Sequence, residues 1–462
     1  MKSLVLKFSE IDTKDRLTVD HYLSDDLQII KRLERSPYDL VDLGNLAAVK
    51  GGKRLPPKAL YSSSGIPYIR VIDIGDYEIL LSDAVYISDE LHQKIKRYQL
   101  QKDDIGIVIV GATIGKTAIF KSSVSPCNFN ENLARITTNK QKLSPDFLLS
   151  YLQSSFGQAY ISWLTGGSAQ AKLSLERIAK IQVPLPLLSI QDQISQVMQE
   201  AYRDRQGKLE QARNLLKGSD DFVFGVLNLA PESIEEETKF LRSISSIKGR
   251  RFDVEFNMGF HKFDPYMDQV QPVKAVANFP KEIEDPKTTP EISFNYIDIA
   301  SIDIELGEIR EISEVLGTDA PSRARQVVHT GDIIISTVRP TRGATALIPE
   351  SMDGFICSTG FSIVHPNKKI TSEYLHAALR LHTTLEQFGR RSAGSSYPAI
   401  LDKDVKETLI PVPDKDIQNK ISTEVIRRRS EAKRLRTEAE AVVAEAKARV
   451  ERMILGEEVG DG

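Results

Sequence analysis

The chain has 462 residues, 41% of them hydrophobic and 27% charged, and a formal net charge of −3. This composition is ordinary for a soluble globular protein, and the length gives room for two or three domains. A near-neutral total leaves nucleic-acid binding open, because a phosphate groove responds to the local field and not to the sum. Cys127 and Cys357 are the only cysteines and have no nearby histidine partners, which argues against a disulfide framework or a zinc site and for a reducing compartment. The opening MKSLVLKFSEIDTKD alternates apolar and charged residues, unlike a signal peptide, and no stretch approaches the ~20 apolar residues of a membrane helix. A soluble, cytoplasmic protein is expected.

Residues 1–186 read as a first mixed α/β domain, with short β-type runs such as 105–110 set between Gly, Pro, Ser and Asn turn signals. Within it the polar loop VKGGKRLPPK carries Lys50, Lys53, Arg54 and Lys58, and Gly51-Gly52 would let backbone approach a ligand closely. Lys116 follows in GATIGKT, then Ser168, Gln170 and Lys172 in GGSAQAK. Pro184-Leu185-Pro186 stops the domain, since prolines fix an extended segment. Over 187–230 the apolar positions Ile190, Ile194, Val197, Ala201, Leu209, Ala212 and Leu216 recur at helical steps, with a break expected at Gly218-Ser219.

The same order then repeats. Residues 231–413 form a second α/β domain with the run 333–338, basic positions Arg323, Arg325, Arg339 and Arg342, and the loop RRSAGSSYP carrying Arg390, Arg391, Ser395, Ser396 and Tyr397. After Pro411-Val412-Pro413, residues 414–456 read as one unbroken helix with a stripe through Ile417, Ile421, Val425, Leu435, Ala439, Val442, Ala446, Val450 and Met453, leaving a short tail over 457–462.

The repetition extends to individual residues. GSAQAKLSLERIAKIQVPLPLLSIQDQIS from Gly167 aligns without a gap on GSSYPAILDKDVKETLIPVPDKDIQNKIS from Gly394, 227 residues on. DDIGIVIVGATIGKTAIF from Asp103 matches GDIIISTVRPTRGATALI from Gly331, and RLTVDHY from Arg16 is similar to RFDVEFN from Arg251. Two striped helices from one chain would pair antiparallel in a coiled-coil-like manner and hold the two α/β domains apart.

The sequence resembles the specificity subunit of type I restriction–modification systems. The resemblance is carried by RLTVDHY and RFDVEFN, by the strands at Asp103 and Gly331, by NENLARI over 130–136, and above all by IQVPLPLLSIQDQIS. It implies that each α/β domain is a target-recognition domain reading one half of a split double-stranded DNA site. It implies further that the helices set the spacer and dock methyltransferase subunits, two of them, which bind S-adenosylmethionine and methylate adenine. A restriction and translocase subunit would complete the assembly. The chain itself would hold no cofactor, no metal and no catalytic residue. The candidate DNA contacts are the loop residues named above, since Lys and Arg neutralise phosphates and Arg also bridges guanine O6 and N7. TGFSIV over 359–364 replaces the first half's ENLARI, so the half-sites need not match. A specificity subunit of another methylation-based phage-defence system, or a helical scaffold without a DNA role, would share much of this pattern.

Three motifs that suggest catalysis do not hold. GATIGKT has three residues where a phosphate-binding Walker loop needs four, and its copy puts Ala344 in place of the lysine. DPYM over 264–267 lacks the second proline of an adenine-methyltransferase signature. The seven histidines show no metal or triad spacing. The basic run RRRSEAKRLR over 427–436 is either a solvated helix face or a patch for DNA or an acidic partner.

Overall fold

A computed structural model describes residues 25–165, 172–229, 269–394 and 397–458. RLTVDHY, RFDVEFN, DPYM and the candidates Ser168, Gln170, Ser395 and Ser396 lie outside these residues. The chain divides into two compact units, one formed by Met1–Lys208 with Thr437–Gly462, the other by Leu209–Arg436.

The first unit opens with α1 (Asp25–Leu33) and the strands β1 (Leu40–Asp42), β2 (Ala47–Gly51), β3 (Ile66–Ile69) and β4 (Val85–Ile87). Next come α2 (Asp89–Ile95), β5 (Ile105–Val108), β6 (Thr117–Ile119), β7 (Asn128–Phe129) and β8 (Leu133–Thr138). The helices α3 (Pro145–Gln153), α4 (Ser155–Thr165) and α5 (Leu175–Ala179) and strand β9 (Gln182–Pro184) lead into the long helix α6 (Leu188–Leu227). An antiparallel sheet in the order β2-β8-β5-β6 packs on α3 and α4, and a second sheet, β4-β3-β7, contains one parallel pair, β3 with β7. Strand β5 is buried along its whole length. That explains its unbroken apolar run: a central strand covered on both faces has no polar side.

The second unit follows the same plan: β10 (Val270–Pro272), β11 (Ala277–Asn278), β12 (Ser293–Ile297), β13 (Ile302–Asp303), β14 (Glu308–Ile309), β15 (Ser313–Leu316) and β16 (Ala324–Val327). Then come β17 (Ile333–Ser336), β18 (Thr345–Leu347), β19 (Ile356–Ser358), β20 (Phe361–Pro366), α7 (Ser372–Leu379), α8 (His382–Arg391), α9 (Asp402–Lys406), β21 (Leu409–Pro411) and the long helix α10 (Lys415–Ile454). The sheet β11-β20-β17-β18 reproduces β2-β8-β5-β6, and β15-β12-β19-β16 reproduces β4-β3-β7 with its parallel pair, adding an edge strand and the hairpin β13-β14. In each unit the strand before the long helix pairs antiparallel with an early strand, β9 with β1 and β21 with β10. The fold is mixed α/β, duplicated at the level of strand order.

Two hydrogen-bond devices explain which residues recur in the repeat. Gln191 is fully buried; its Oε1 accepts the Ser144 N–H at 2.8 Å and its Nε2 donates to the carbonyls of Lys142 and Pro186, both at 2.9 Å. Gln418 repeats this with the Thr371 N–H at 3.0 Å and the carbonyls of Lys369 and Pro413 at 3.0 and 2.8 Å. Each glutamine ties the start of its long helix to the turn before α3 or α7. Likewise the buried Asp104 and Asp332 accept the N–H groups of Gln101 and His329, both at 2.8 Å. The residues just before them, Asp103 and Gly331, both have left-handed backbone (φ +74° and +86°).

Each long helix has 40 residues, about 60 Å at ~1.5 Å per residue. Within the first unit they run antiparallel, Arg205 pairing with Glu440 and Lys208 with Glu438, above a core of Ile194, Met198, Ala201, Ala446, Val450 and Met453. Within the second unit Ala212, Leu215 and Leu216 meet Ala432 and Leu435. The break expected at Gly218-Ser219 is absent. Ser219 Oγ donates back to the Leu215 carbonyl and Arg428 donates to the Gly218 carbonyl, so side chains support the turn that glycine weakens.

A pH dependence follows from one buried group in the second unit. His376 Nδ1 accepts a hydrogen bond from Arg429 at 2.8 Å, which requires the neutral ring with its proton on Nε2. Burial, then the cations Arg429 and Arg380, hold its pKa well below the usual histidine value. The unfolded chain takes up a proton near pH 6.5 and the folded chain does not, so stability falls as the pH drops below about 6.5, by up to about 1.4 kcal/mol per pH unit. Leu149 occupies the equivalent place in the first unit and contributes no such dependence. Denaturation midpoints compared at pH 7.5 and 5.5 should show the loss, and His376→Gln, which keeps an acceptor for Arg429, should flatten it.

Candidate nucleic-acid interface

In the first unit the end of β2 and the loop after it project the basic cluster. Lys50, Lys53, Arg54 and Lys58 are all exposed, and the loop is anchored by Tyr68, whose hydroxyl donates to the Lys53 carbonyl at 2.8 Å. Arg54 is 79% exposed at its side chain and pairs with Glu131, whose hydrogen bond and then charge raise the guanidinium pKa. Lys58 has left-handed backbone (φ +66°). Leu60 (81% exposed) and Tyr61 stand out beside these cations. The sequence reading passed over both, although an exposed Leu-Tyr pair in a basic loop suits contact with base edges or sugars. Gly52 serves the fold: a Cβ there would collide with the Asn130 carbonyl, so its small size accommodates the chain itself.

Lys116 does not project from its turn. Its ammonium pairs with Asp76 at 3.4 Å, and Asp76 also binds Arg205 of α6 at 3.0 Å. These groups line a cleft of about 490 Å³ with Tyr202, Glu440 and Lys447. Lys172 is exposed and forms an isolated antiparallel bridge with Val110, at the mouth of the same turn.

In the second unit Arg323 and Arg342 are exposed, whereas Arg325 is tied to Asp285 at 3.2 Å. Arg339 lies against the ring of Tyr397, its guanidinium carbon 4.9 Å from the centroid, and Arg390 is half-buried at the end of α8. Arg391 is corrected by the structure. It is 6% exposed, and its guanidinium donates to the carbonyls of Asp404 and Glu407 and to Thr408 Oγ1 at 2.8–3.1 Å. It fastens α8 to α9, and burial lowers its pKa. The segment matching the first unit's basic loop here carries Glu282, Glu284, Asp285 and Glu291 against Lys281 and Lys287. The two units therefore present different charge on one scaffold.

Most cations of the basic run on α10 are paired with carboxylates of the helix or of a neighbouring hairpin. Arg427 and Arg428 bind Glu424, Arg434 binds Glu431, and Lys433 and Arg436 bind Glu308, Glu305 and Asp303 of the β13-β14 hairpin. Hydrogen bonds from the two arginines push the Glu424 pKa down to about 2. Cys127 and Cys357 are core residues whose thiols burial pushes up to about 12, the reverse of an activated nucleophile. Among the described residues no three His, Cys, Asp or Glu side chains converge as a metal would require, and no helix is long and apolar enough to cross a membrane.

Parts of the chain are similar to known proteins. The type I restriction enzyme EcoBI specificity subunit of Escherichia coli is 29% identical over 163 residues, 35% of this chain and 34% of that protein. The HindI specificity subunit of Haemophilus influenzae is 32% identical over 114 residues, 24% of each. The chain thus spans about a third or less of the length of the curated relatives it matches. A crystal structure of the type I restriction–modification S subunit from M. genitalium overlaps 90% of this chain and 96% of its own, at 14% identity and a TM-score of 0.44. The family model for the type I restriction modification DNA specificity domain matches residues 35–215 and 308–424, more than half of the chain and parts of both units. With the repeat written in both its residues and its strand order, the chain belongs to the type I restriction–modification DNA specificity family.

Proposed function

We propose that this chain recognises a bipartite DNA sequence and directs a partner adenine methyltransferase to it, without being an enzyme itself. The observation that carries this reading is the pair of α/β units with one strand order and different exposed loops: cationic with Leu60 and Tyr61 in one, Arg323, Arg339, Arg342 and Tyr397 in the other. A common scaffold with divergent surface loops is what two readers of different half-sites need, because phosphate contacts fix register and loop side chains read bases. The proposed contacts are Lys50, Lys53, Arg54, Lys58 and Lys172 in the first unit, and Arg323, Arg339, Arg342, Arg390 and Tyr397 in the second. The long helices would set the spacer and dock two methyltransferase subunits, which bring S-adenosylmethionine, and a restriction and translocase subunit would join in a complete, cytoplasmic system.

The test is the methylome of a host expressing the chain with its methyltransferase. A split motif that vanishes when the chain is deleted is the expected result. Replacing residues 25–186 with those of a relative should change one half-site only. Methylation at an undivided motif, or at one independent of this chain, would overturn the reading.

A further inference from the structure

The two units place a turn of the same length after the equivalent strand and differ at its first residue. Val110 and Val338 each form an isolated antiparallel bridge, with Lys172 and with Ala399. The next residue is Gly111 in one unit (φ +115°) and Arg339 in the other (φ +49°), and the turns close on Gly115 (φ +89°) and Gly343 (φ +73°). Positive φ suits glycine and strains any residue with a Cβ. In the first unit this place is open, since a Cβ at Gly111 would meet nothing within 4 Å. Arg339 is nevertheless held firmly. Its N–H donates to the Pro398 carbonyl at 2.7 Å, and its guanidinium lies 4.9 Å from the ring centroid of Tyr397, a residue 71% exposed. A strained backbone carrying a side chain stacked on an exposed aromatic is a pattern of functional surfaces, where orientation outweighs local cost.

We infer that Arg339, oriented by Tyr397, is a specificity-determining residue of the second unit and recognises the major-groove edge of a guanine. The inference rests on the DNA-reading function proposed above. A guanidinium offers two parallel donors matched to O6 and N7, and a ring against its face fixes the plane in which they lie. Gly111 can make no such contact, so the turn reads a base in the second unit only.

Arg339→Gly installs the residue type that the first unit carries at the start of its turn, and glycine adopts positive φ without strain, so the variant should fold. In the methylome of a host expressing the full chain with its methyltransferase, one G·C position in one half-site should lose discrimination by about tenfold or more, with the other half-site unchanged. Arg339→Lys should relax the same position, since an ammonium keeps the charge and loses the fork. Tyr397→Leu should loosen that position to a smaller extent. An unchanged motif, full discrimination retained by lysine, or a decline spread evenly over both half-sites would overturn the inference. If the unmodified chain directs no split motif, the DNA-reading function itself fails; if it does and Arg339→Gly leaves the motif intact, only the role of Arg339 fails.

Discussion

Gln191→Ala should lower the stability of the first unit by about 3–5 kcal/mol, more than the loss of any exposed side chain. The substitution strands three backbone groups at once, the Ser144 N–H and the carbonyls of Lys142 and Pro186, and each unmet buried group costs about 1–3 kcal/mol before relaxation. Water entering the cavity recovers part of that sum, which keeps the figure below the total. Gln191→Met holds the volume and removes only the hydrogen bonds, so it should retain most of the loss. Gln191→Glu keeps the acceptor for Ser144 and presents no donor to the carbonyls, and should also destabilise. Gln418→Ala should do the same in the second unit through Thr371, Lys369 and Pro413. Chemical denaturation gives the magnitude, and amide exchange gives the place: the Ser144 N–H should lose protection in one variant and the Thr371 N–H in the other. A loss under about 1 kcal/mol for both alanine variants would show that the clamp is redundant.

That clamp also shows why so much of the fold was legible. A residue that must satisfy three backbone groups cannot drift, so Gln191 and Gln418 recur at fixed spacing, followed by Ser195 and Ser422, whose hydroxyls return to the glutamine carbonyls at 2.6 and 2.8 Å. The continuous apolar runs of β5 and β17 mark central strands for the same kind of reason. The expected break at Gly218-Ser219 failed because its remedy is tertiary: Arg428, 210 positions away, donates to the Gly218 carbonyl and also covers the ring of Phe222. Arg391 was misplaced because adjacent arginines look alike in a string. Helical spacing held the signal, since Thr384, Gln387, Phe388 and Arg391 share the buried face of α8 while Arg390 does not. The basic run of α10 was half readable. Glu424 and Glu431 stand at helical spacing from Arg427, Arg428 and Arg434, whereas Asp303, Glu305 and Glu308 come from a hairpin that nothing in the run announces.

Reversing Lys53, Arg54 and Lys58 to glutamate should weaken DNA binding by about two orders of magnitude or more near physiological salt. Each phosphate contact adds about 0.9 to the slope of log affinity against log salt, or roughly fivefold in affinity at ~0.15 M, so three contacts multiply to more than a hundredfold. The slope itself should fall by about 2.7 when affinity is measured by anisotropy across a salt series with the chain bound to its methyltransferase. Arg54→Gln alone should cost less than Lys53→Gln, because Glu131 already offsets the Arg54 charge. The comparison that decides the matter lies on α10. Reversing Arg427, Lys433 and Arg434 to glutamate changes the formal charge by the same amount, but at cations already bound to Glu424, Glu308 and Glu431, and should change affinity by less than about threefold. If the helix variant weakens binding as much as the loop variant, net charge governs the interaction and the loop after β2 is not a contact surface. If only the loop variant does, and its slope falls with it, the exposed cations of the loop after β2 meet the phosphate backbone.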